Sequence, residues 1–455
     1  MKIDISSLVD NNPRIKELKK QAKILLRQIK TNIKPDVSLR ACQDLVAQQH
    51  GYKHWYEFHT EIKKNYEVKQ NEIKNYFYKT LPDPQKHFNY GYSVDMGLHY
   101  CLEESDRLKH TLILGENREK INFHFAKQAI KANETLVFMD GSGQNNSSLE
   151  LFNFARQNNR ENDLFVINFM ADANPFFKNK LSNTFNPLSK GSSGSLIEFI
   201  VSLMDKDDNI MWKGRAIYLI SAIIMALVYM RDNEHFDLNF SSLHEYLSLD
   251  KIIDLYKTRT DFPIHIKNAL KGYLFSLPAF KEGSIRQTET VLDQHGFLQM
   301  QFTRILGFLT DSYGYIFNSI PEIDLENFTA QNKKAIILIQ FPCFEKISNE
   351  LKILSYFMLN MLRQQLNFAL KSPPLSNVSW IINDCPVNLG FSVVLAQARA
   401  NHVSLLFSYK DTTFNQSDNN EAISLAANCN IKINMNSPTN YELQYQGMKY
   451  DLNIL

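Results

Sequence analysis

Two stretches in which short apolar runs alternate with helical composition enclose a long segment, Ser182 to Phe328, from which the strand signal is absent. Ahead of it, strands are expected at Phe88 to Val94, Leu98 to Leu102, Thr111 to Leu114, Thr135 to Asp140 and Leu164 to Phe169. Helical composition at Phe123 to Lys131 and Leu149 to Asn158 separates the later ones. Beyond it come strands at Ala335 to Phe341, Val378 to Asp384, Val403 to Ser408 and Asn430 to Met435, with a helix at Glu350 to Leu370. Strands alternating with helices require an α/β fold built on a parallel sheet, so the middle segment is an insertion. Its expected elements are all helical: Ser195 to Met204, Trp212 to Arg231, Leu243 to Tyr256, Ile264 to Phe275 and Gln299 to Tyr313. The second of these is apolar nearly all round and therefore buried. In such sheets ligands bind at the carboxyl ends of the strands, which puts Gly115, Asp140 and Asn168 along one rim.

The front of the chain has a different character. Residues 1–79 hold 16 Lys/Arg against 9 Asp/Glu, while the remainder holds 34 against 39, so the small overall charge of +2 hides a basic leader and an acidic body. An acidic body gives no support for a channel that grips nucleic acid, whereas the leader can meet phosphates or an acidic partner, or be a solvated lysine-rich helical surface. In Asn12 to Lys30 the residues Ile15, Leu18, Ala22, Leu25, Leu26 and Ile29 recur three or four apart, the mark of an amphipathic helix. A second helix runs from Leu39 to the stop at Gly51, and a third short element covers Trp55 to Ile62. Tyr52, Trp55, Tyr56 and Phe58 suit the small core of a three-helix unit better than a platform for stacked bases. Lys63 to Lys86, ending in Leu81-Pro-Asp-Pro84, reads as a charged helix and linker. The resulting division is a helical leader at 1–79, the first part of the α/β domain at 80–190, the all-α insertion at 191–330 and the second part of the α/β domain at 331–455.

Five cysteines, at 42, 101, 343, 385 and 429, are scattered without a C-x-x-C pair, which speaks against a disulfide framework and a zinc site. No metal is expected, because the twelve histidines show no ligand spacing. The first residues have no apolar signal region, and the longest uncharged stretch, Ala216 to Met230, is shorter than a span of about 20 residues. The expected localisation is cytoplasmic, with attachment at the inner membrane only through a partner.

The strand Thr111 to Leu114, the turn at Gly115 and the helix from Phe123 follow in the order of a phosphate loop. Laid from Gly115, the motif G-x-x-x-x-G-K-[ST] requires Gly at Lys120, Lys at Ile121 and Ser or Thr at Asn122, so only the first glycine is present. A phosphate cradle needs inward-turned backbone N–H groups and a lysine. Here Glu116 and Glu119 bring carboxylates instead. One carboxylate about 4 to 5 Å from a phosphate charge costs about 3 to 4 kcal/mol at an effective dielectric near 20. The only local cations that can compensate are Arg118 and Lys120.

Several segments in order, among them Leu181-Ser-Asn-Thr-Phe-Asn-Pro187, Met211-Trp-Lys-Gly-Arg-Ala216, Asp293-Gln-His-Gly-Phe-Leu-Gln-Met-Gln-Phe-Thr-Arg304 and Asp311-Ser-Tyr-Gly-Tyr-Ile-Phe317, resemble the type IV coupling proteins of secretion and conjugation systems, most closely the Dot/Icm and IncI-plasmid branch. The similarity extends over roughly 88 to 440, more than the length of one ordinary domain. It implies a RecA-like P-loop NTPase-type domain with an all-α insertion, working as a hexameric ATPase that feeds DNA or protein into a secretion channel. The leader resembles, through Leu39-x-x-Cys-Gln-x-Leu-Val-Ala47 and Gly51-Tyr-x-x-Trp55, a small helical module at the front of plasmid-borne proteins.

Departures from the family are concentrated at the nucleotide. Members usually begin with two membrane-spanning helices, where this chain has its basic leader. Asp384 stands where the resemblance puts the magnesium-side aspartate, but Cys385 replaces the glutamate that activates water. Lys410-Asp411 occupies the place of a Gln-Asp pair that senses the γ-phosphate. Arg399 matches a position near a neighbouring subunit's nucleotide and, without nucleotide, braces the sheet rim. The expectation is a catalytically inactive coupling-protein-like pseudo-ATPase, without cofactor, serving as scaffold or adaptor for other secretion or conjugation components, including an active coupling ATPase. In the emptied loop, Arg118 or Lys120 is expected to pair with Glu116, Asp140 or Asp384. Two alternatives stay open: an ATP- and magnesium-dependent translocase with an unusual loop, and a nucleic-acid-binding accessory protein acting through 1–79.

Overall fold

The computed structural model describes residues 10, 12–32, 37–68, 76–93, 96–143, 146–170, 182–204, 210–317, 320–324, 334–342, 353–354, 357, 362, 366, 377–385, 391–411 and 419–454. In chain order the strands are β1 (Phe77–Tyr78), β2 (His87–Ser93), β3 (His99–Glu103), β4 (Thr111–Leu114), β5 (Thr135–Asp140), β6 (Leu164–Asn168), β7 (Ile336–Gln340), β8 (Val378–Asn383), β9 (Val403–Tyr409), β10 (Ile431–Met435), β11 (Asn440–Tyr445) and β12 (Met448–Asn453). The helices are α1 (Pro13–Asn32), α2 (Leu39–Gln49), α3 (Trp55–Val68), α4 (Glu119–Lys131), α5 (Asn146–Gln157), α6 (Ser193–Ser202), α7 (Ile210–Glu234), α8 (Phe240–Glu245), α9 (Leu249–Thr258), α10 (Ile264–Ser276), α11 (Glu289–Gly307), α12 (Gly314–Phe317), α13 (Phe391–Ala400) and α14 (Asn419–Asn428). The helix expected at Glu350 to Leu370 lies almost wholly outside the described residues, as does Cys343.

The chain divides into two compact units, one formed by Met1–Asn133, Ser404–Thr412 and Ala426–Leu455, the other by Glu134–Val403 and Thr413–Leu425. In the first, α1 buries Ile15, Leu18 and Ala22 toward Cys42, Val46 and Ala47 of α2. Gly51, at φ +89, turns the chain into α3, whose first N–H is satisfied by Asp44 Oδ1 at 2.7 Å. Tyr52 and Trp55 pack on Phe58, with ring centroids 5.0 and 5.5 Å away. The aromatic quartet thus divides, three rings forming the small core and Tyr56 left exposed.

The sheet of this first unit runs β1-β3-β2-β12-β11-β10-β4-β9. Only β10, β4 and β9 pair in parallel; the others form antiparallel ladders. The hairpin β11–β12 was not among the expected elements. Its turn places Gln446 and Gly447 at φ 50 and 77, the left-handed pair that a two-residue hairpin needs. The fold is α/β as expected, but its sheet is mixed.

The second unit holds β8-β5-β7-β6, all parallel. Every residue of β5, β7 and β8 is buried, as befits strands covered on both faces. The segment Ser182 to Asn186 is tied to this layer by Val166 N–H donating to Asn183 Oδ1 and Ser182 Oγ donating to the Val166 carbonyl, and to the helical part by Asn186 Nδ2 donating to the Leu238 carbonyl between α7 and α8. Helices α6 to α12 contain no strand among the described residues 182–204, 210–317 and 320–324. At Trp212–Glu234, α7 is long and apolar enough to cross a membrane by composition alone. Its Leu219, Ile220, Ala222, Ile223, Ala226 and Leu227 are already buried, and α6, α10 and α11 pack on it, the situation of a core helix.

Candidate functional site

The first unit carries the loop. Strand β4 ends at Leu114, and Gly115 turns at φ +122, a region that L side chains rarely adopt. Close packing enforces the glycine as well: a Cβ there meets Met435 Cβ at 2.7 Å. The Gly115 N–H is shared between the carbonyls of Tyr409 and Lys410, at 3.1 and 3.0 Å, so it faces the end of β9 and not an anion. Asn117 follows at φ +58, and α4 starts at Glu119 with Arg118 as its N-cap, without a side-chain cap bond. The Arg118 guanidinium is buried and donates through Nη1 to the Gly115 carbonyl at 2.7 Å, closing the turn on itself.

The two positions that decide nucleotide binding are inside the protein. Ile121, at the place of the motif's lysine, is 0% exposed, and Asn122, at the place of its hydroxyl residue, is 1% exposed. Lys120 and Glu119 point to solvent from the first turn of α4. Glu116 pairs with Lys410, Oε1 to Nζ 3.2 Å, an exposed contact at the carboxyl ends of β4 and β9. Lys410 is thus the cation that meets Glu116, where Arg118 or Lys120 was expected.

The second unit carries the remaining candidates. Asp140 ends β5 and is 3% exposed. Its Oδ1 accepts the Ser142 N–H at 3.0 Å and Asn383 Nδ2 at 3.2 Å, and its Oδ2 accepts the Ser147 hydroxyl. The carboxylate therefore shapes the β5–α5 turn and ties it to the end of β8. Asn168, at the end of β6, is used in the same way: its N–H donates to Ser182 Oγ, its Oδ1 accepts the Met170 N–H, and its carbonyl accepts the Tyr315 hydroxyl at 2.7 Å.

Asp384 follows β8 at φ +51, a left-handed conformation that Asp tolerates better than most residues. Cys385 is fully buried and donates its thiol to the Asn383 carbonyl at 3.2 Å. Burial first, and then the carboxylates of Asp140 and Asp384, push this thiol well above its ordinary value, which makes it neither nucleophile nor base at neutral pH. Arg399 is exposed on α13. Among the described residues, no group of three or more His, Cys, Asp or Glu side chains is placed to hold a metal ion. The partners the sequence did not reveal, Ser147 and Asn383 around Asp140 and Met435 behind Gly115, are distant in sequence or chemically bland, and no motif marks them.

No protein-family model matches the chain. Over 372 residues it is 31% identical to the type 4 coupling protein DotL of Legionella pneumophila, a match that covers 72% of this chain and 47% of that protein. The chain therefore spans about half the length of the curated relative it matches. Among solved structures, the unbound conjugative coupling protein TrwBdeltaN70 superposes with a TM-score of 0.52 at 8% identity, over 83% of this chain and 90% of that one. The plasmid coupling protein TrwB in complex with ADP and Mg2+ gives 0.50 at 10% identity, over 83% of each chain. These likenesses bear on the fold alone, an α/β domain with a mixed sheet and helical segments. The identity to DotL shows that the chain belongs to the type IV coupling protein family.

Proposed function

We propose that this coupling-protein homologue neither binds nor hydrolyses nucleoside triphosphate and serves as a scaffold or adaptor of a type IV secretion or conjugation system. One observation carries the reading: Ile121, fully buried, stands where a phosphate-binding loop needs its lysine. The rest of the loop agrees. The Gly115 N–H is committed to carbonyls of Tyr409 and Lys410, and the carboxylate of Glu116 stands at the mouth of the turn. Cys385, neutral and buried, cannot activate water in place of a glutamate. A framework with its chemistry removed retains surfaces, so its partners are other components of the apparatus, an active coupling ATPase among them. The protein would work on the cytoplasmic side, held to the inner membrane through such a partner.

Isothermal titration of the full chain with MgATP is expected to give no binding heat, and phosphate release to stay at background with or without DNA. Micromolar binding that disappears in Lys120→Ala would overturn the reading in favour of an active translocase whose lysine has moved by one position.

A further inference from the structure

Helix α11 turns a strip of apolar side chains to solvent. Leu292 is 52% exposed, Phe297 56% and Met300 66%, while Val291, His295, Leu298, Phe302 and Ile305 hold the opposite side in the core. At about 100° per residue, Glu289, Leu292, Asp293, Gly296, Phe297, Met300 and Arg304 fall within an arc of about 140°, so they form one face about 22 Å long. Gly296 lies in the middle of it. A glycine inside a helix is destabilising relative to alanine, and a close approach of neighbouring atoms usually accounts for it. Gly272 of α10 has such a reason, since a Cβ there would collide with Tyr218. Gly296 has none: among the described residues a Cβ would meet nothing within 4 Å. The ends of the face carry opposite charge, with Glu289 and Asp293 exposed in the first turns and Arg304 exposed in the last. Trp212, at the start of α7, lies beside Phe297 with ring centroids 5.9 Å apart and widens the apolar strip.

We infer that this face pairs with the same face of a second copy of the chain, the two α11 helices crossing antiparallel about a two-fold axis at Gly296. The pattern is self-complementary. Reversing the helix about Gly296 lays Leu292 on Met300 of the second copy and brings the acidic end, at Glu289, to within one residue of Arg304 at the basic end. Two glycines at the crossing let the backbones approach more closely than the 8 to 10 Å, or about that, of ordinary helix pairs. Antiparallel packing also sets the two helix dipoles head to tail. A foreign helix would need the same order of bulk and charge in reverse, whereas a second copy supplies it by symmetry. The contact is isologous and closes at two copies, unlike the head-to-tail contacts of a ring. One helix face with Trp212 buries less than the ~800 Å² per partner of a standard interface, so the dimer forms in the micromolar range. Pairing of this kind does not depend on whether the loop at Gly115 binds nucleotide.

The test is sedimentation velocity of the full chain over about 1 to 100 µM, in which a shift from monomer to dimer is expected. Gly296→Leu fills the crossing point and should abolish the dimer, yet it should move the urea midpoint of the monomer upward, because leucine is the better helix former and its Cβ meets nothing in its own chain. Arg304→Glu and Glu289→Arg should each weaken association by about tenfold or more, since the two-fold axis repeats the like-charge contact. Mixed in equal amounts, these two variants should form dimers again, because each supplies the charge that the other lacks. Circular dichroism should report unchanged helix content in all three variants. A chain that is monomeric throughout, an assembly that survives Gly296→Leu, or a mixture of the charge variants that stays monomeric would overturn the pairing.

Discussion

Gly115 is required by backbone geometry, whatever the loop around it binds. Its presence at the end of β4 is what first suggests a phosphate loop, yet φ +122 and the 2.7 Å that would separate Met435 from any Cβ at this position explain it through backbone geometry alone. Gly115→Ala should therefore destabilise the protein by about 1 to 3 kcal/mol through strain and overlap, measured by urea denaturation. A second residue-scale consequence concerns His295. It is buried, accepts the Tyr273 hydroxyl on Nδ1 at 2.6 Å and faces the Leu247 carbonyl with Nε2 at 2.9 Å. Burial holds its imidazole below the ordinary histidine value. The unfolded chain then binds the proton first, so this residue contributes stability above about pH 6.5 and loses it as pH falls toward the folded value, by up to ~1.4 kcal/mol per pH unit. His295→Leu should cost about 1 to 3 kcal/mol at neutral pH by stranding Tyr273 and Leu247, and should flatten the pH dependence of denaturation below that point. His124, also buried with a lowered value, keeps the slope from vanishing.

At the scale of elements, the sequence was legible where periodicity was long and poor where short signals interrupt it. The stretch Leu243 to Tyr256 reads as one helix by its apolar spacing, but it is two, α8 and α9. Ser248 caps α9 by accepting the Lys251 N–H, and the Leu247 carbonyl left over at the break is the one His295 meets. The cap signal was present, and apolar periodicity outweighed it. Helix α11 begins at Glu289, ten residues before the expected start, because exposed Leu292 and Phe297 blur its faces. In β11 and β12 the alternation was plain, with Tyr441, Leu443, Tyr445, Tyr450 and Leu452 buried. No helix separates them, so an alternating strand–helix template has no place for the pair. Caps that are reciprocal should matter most. Asn239 accepts the Ser242 N–H while Ser242 Oγ accepts the Asn239 N–H, both at 2.9 Å, at the start of the six-residue α8. Asn239→Ala should lower stability by about 1 kcal/mol, read as a shift of the denaturation midpoint without a change in slope.

For the molecule as a whole, the parallel strands were readable because burial on both faces leaves continuous apolar runs, as in β5 and β7. The fate of the loop was only half readable. Sequence shows that the lysine and hydroxyl residues are missing, but not that Ile121 fills a sealed position or that Lys410, 294 residues from Glu116, becomes its partner. Such contacts depend on the register between β4 and β9, which no local pattern encodes. A ligand that binds only the folded state stabilises it by about 2.7 kcal/mol at a hundredfold excess over its dissociation constant, so thermal melts report binding without any assay of turnover. With saturating MgATP the melting temperature should not move. Ile121→Lys combined with Asn122→Ser restores two motif residues, yet it should lower stability by several kcal/mol, because the new ammonium is forced into a fully buried position without a partner. If those substitutions instead leave stability intact and make the melt depend on MgATP, the pocket has been kept open and only its ligands were lost.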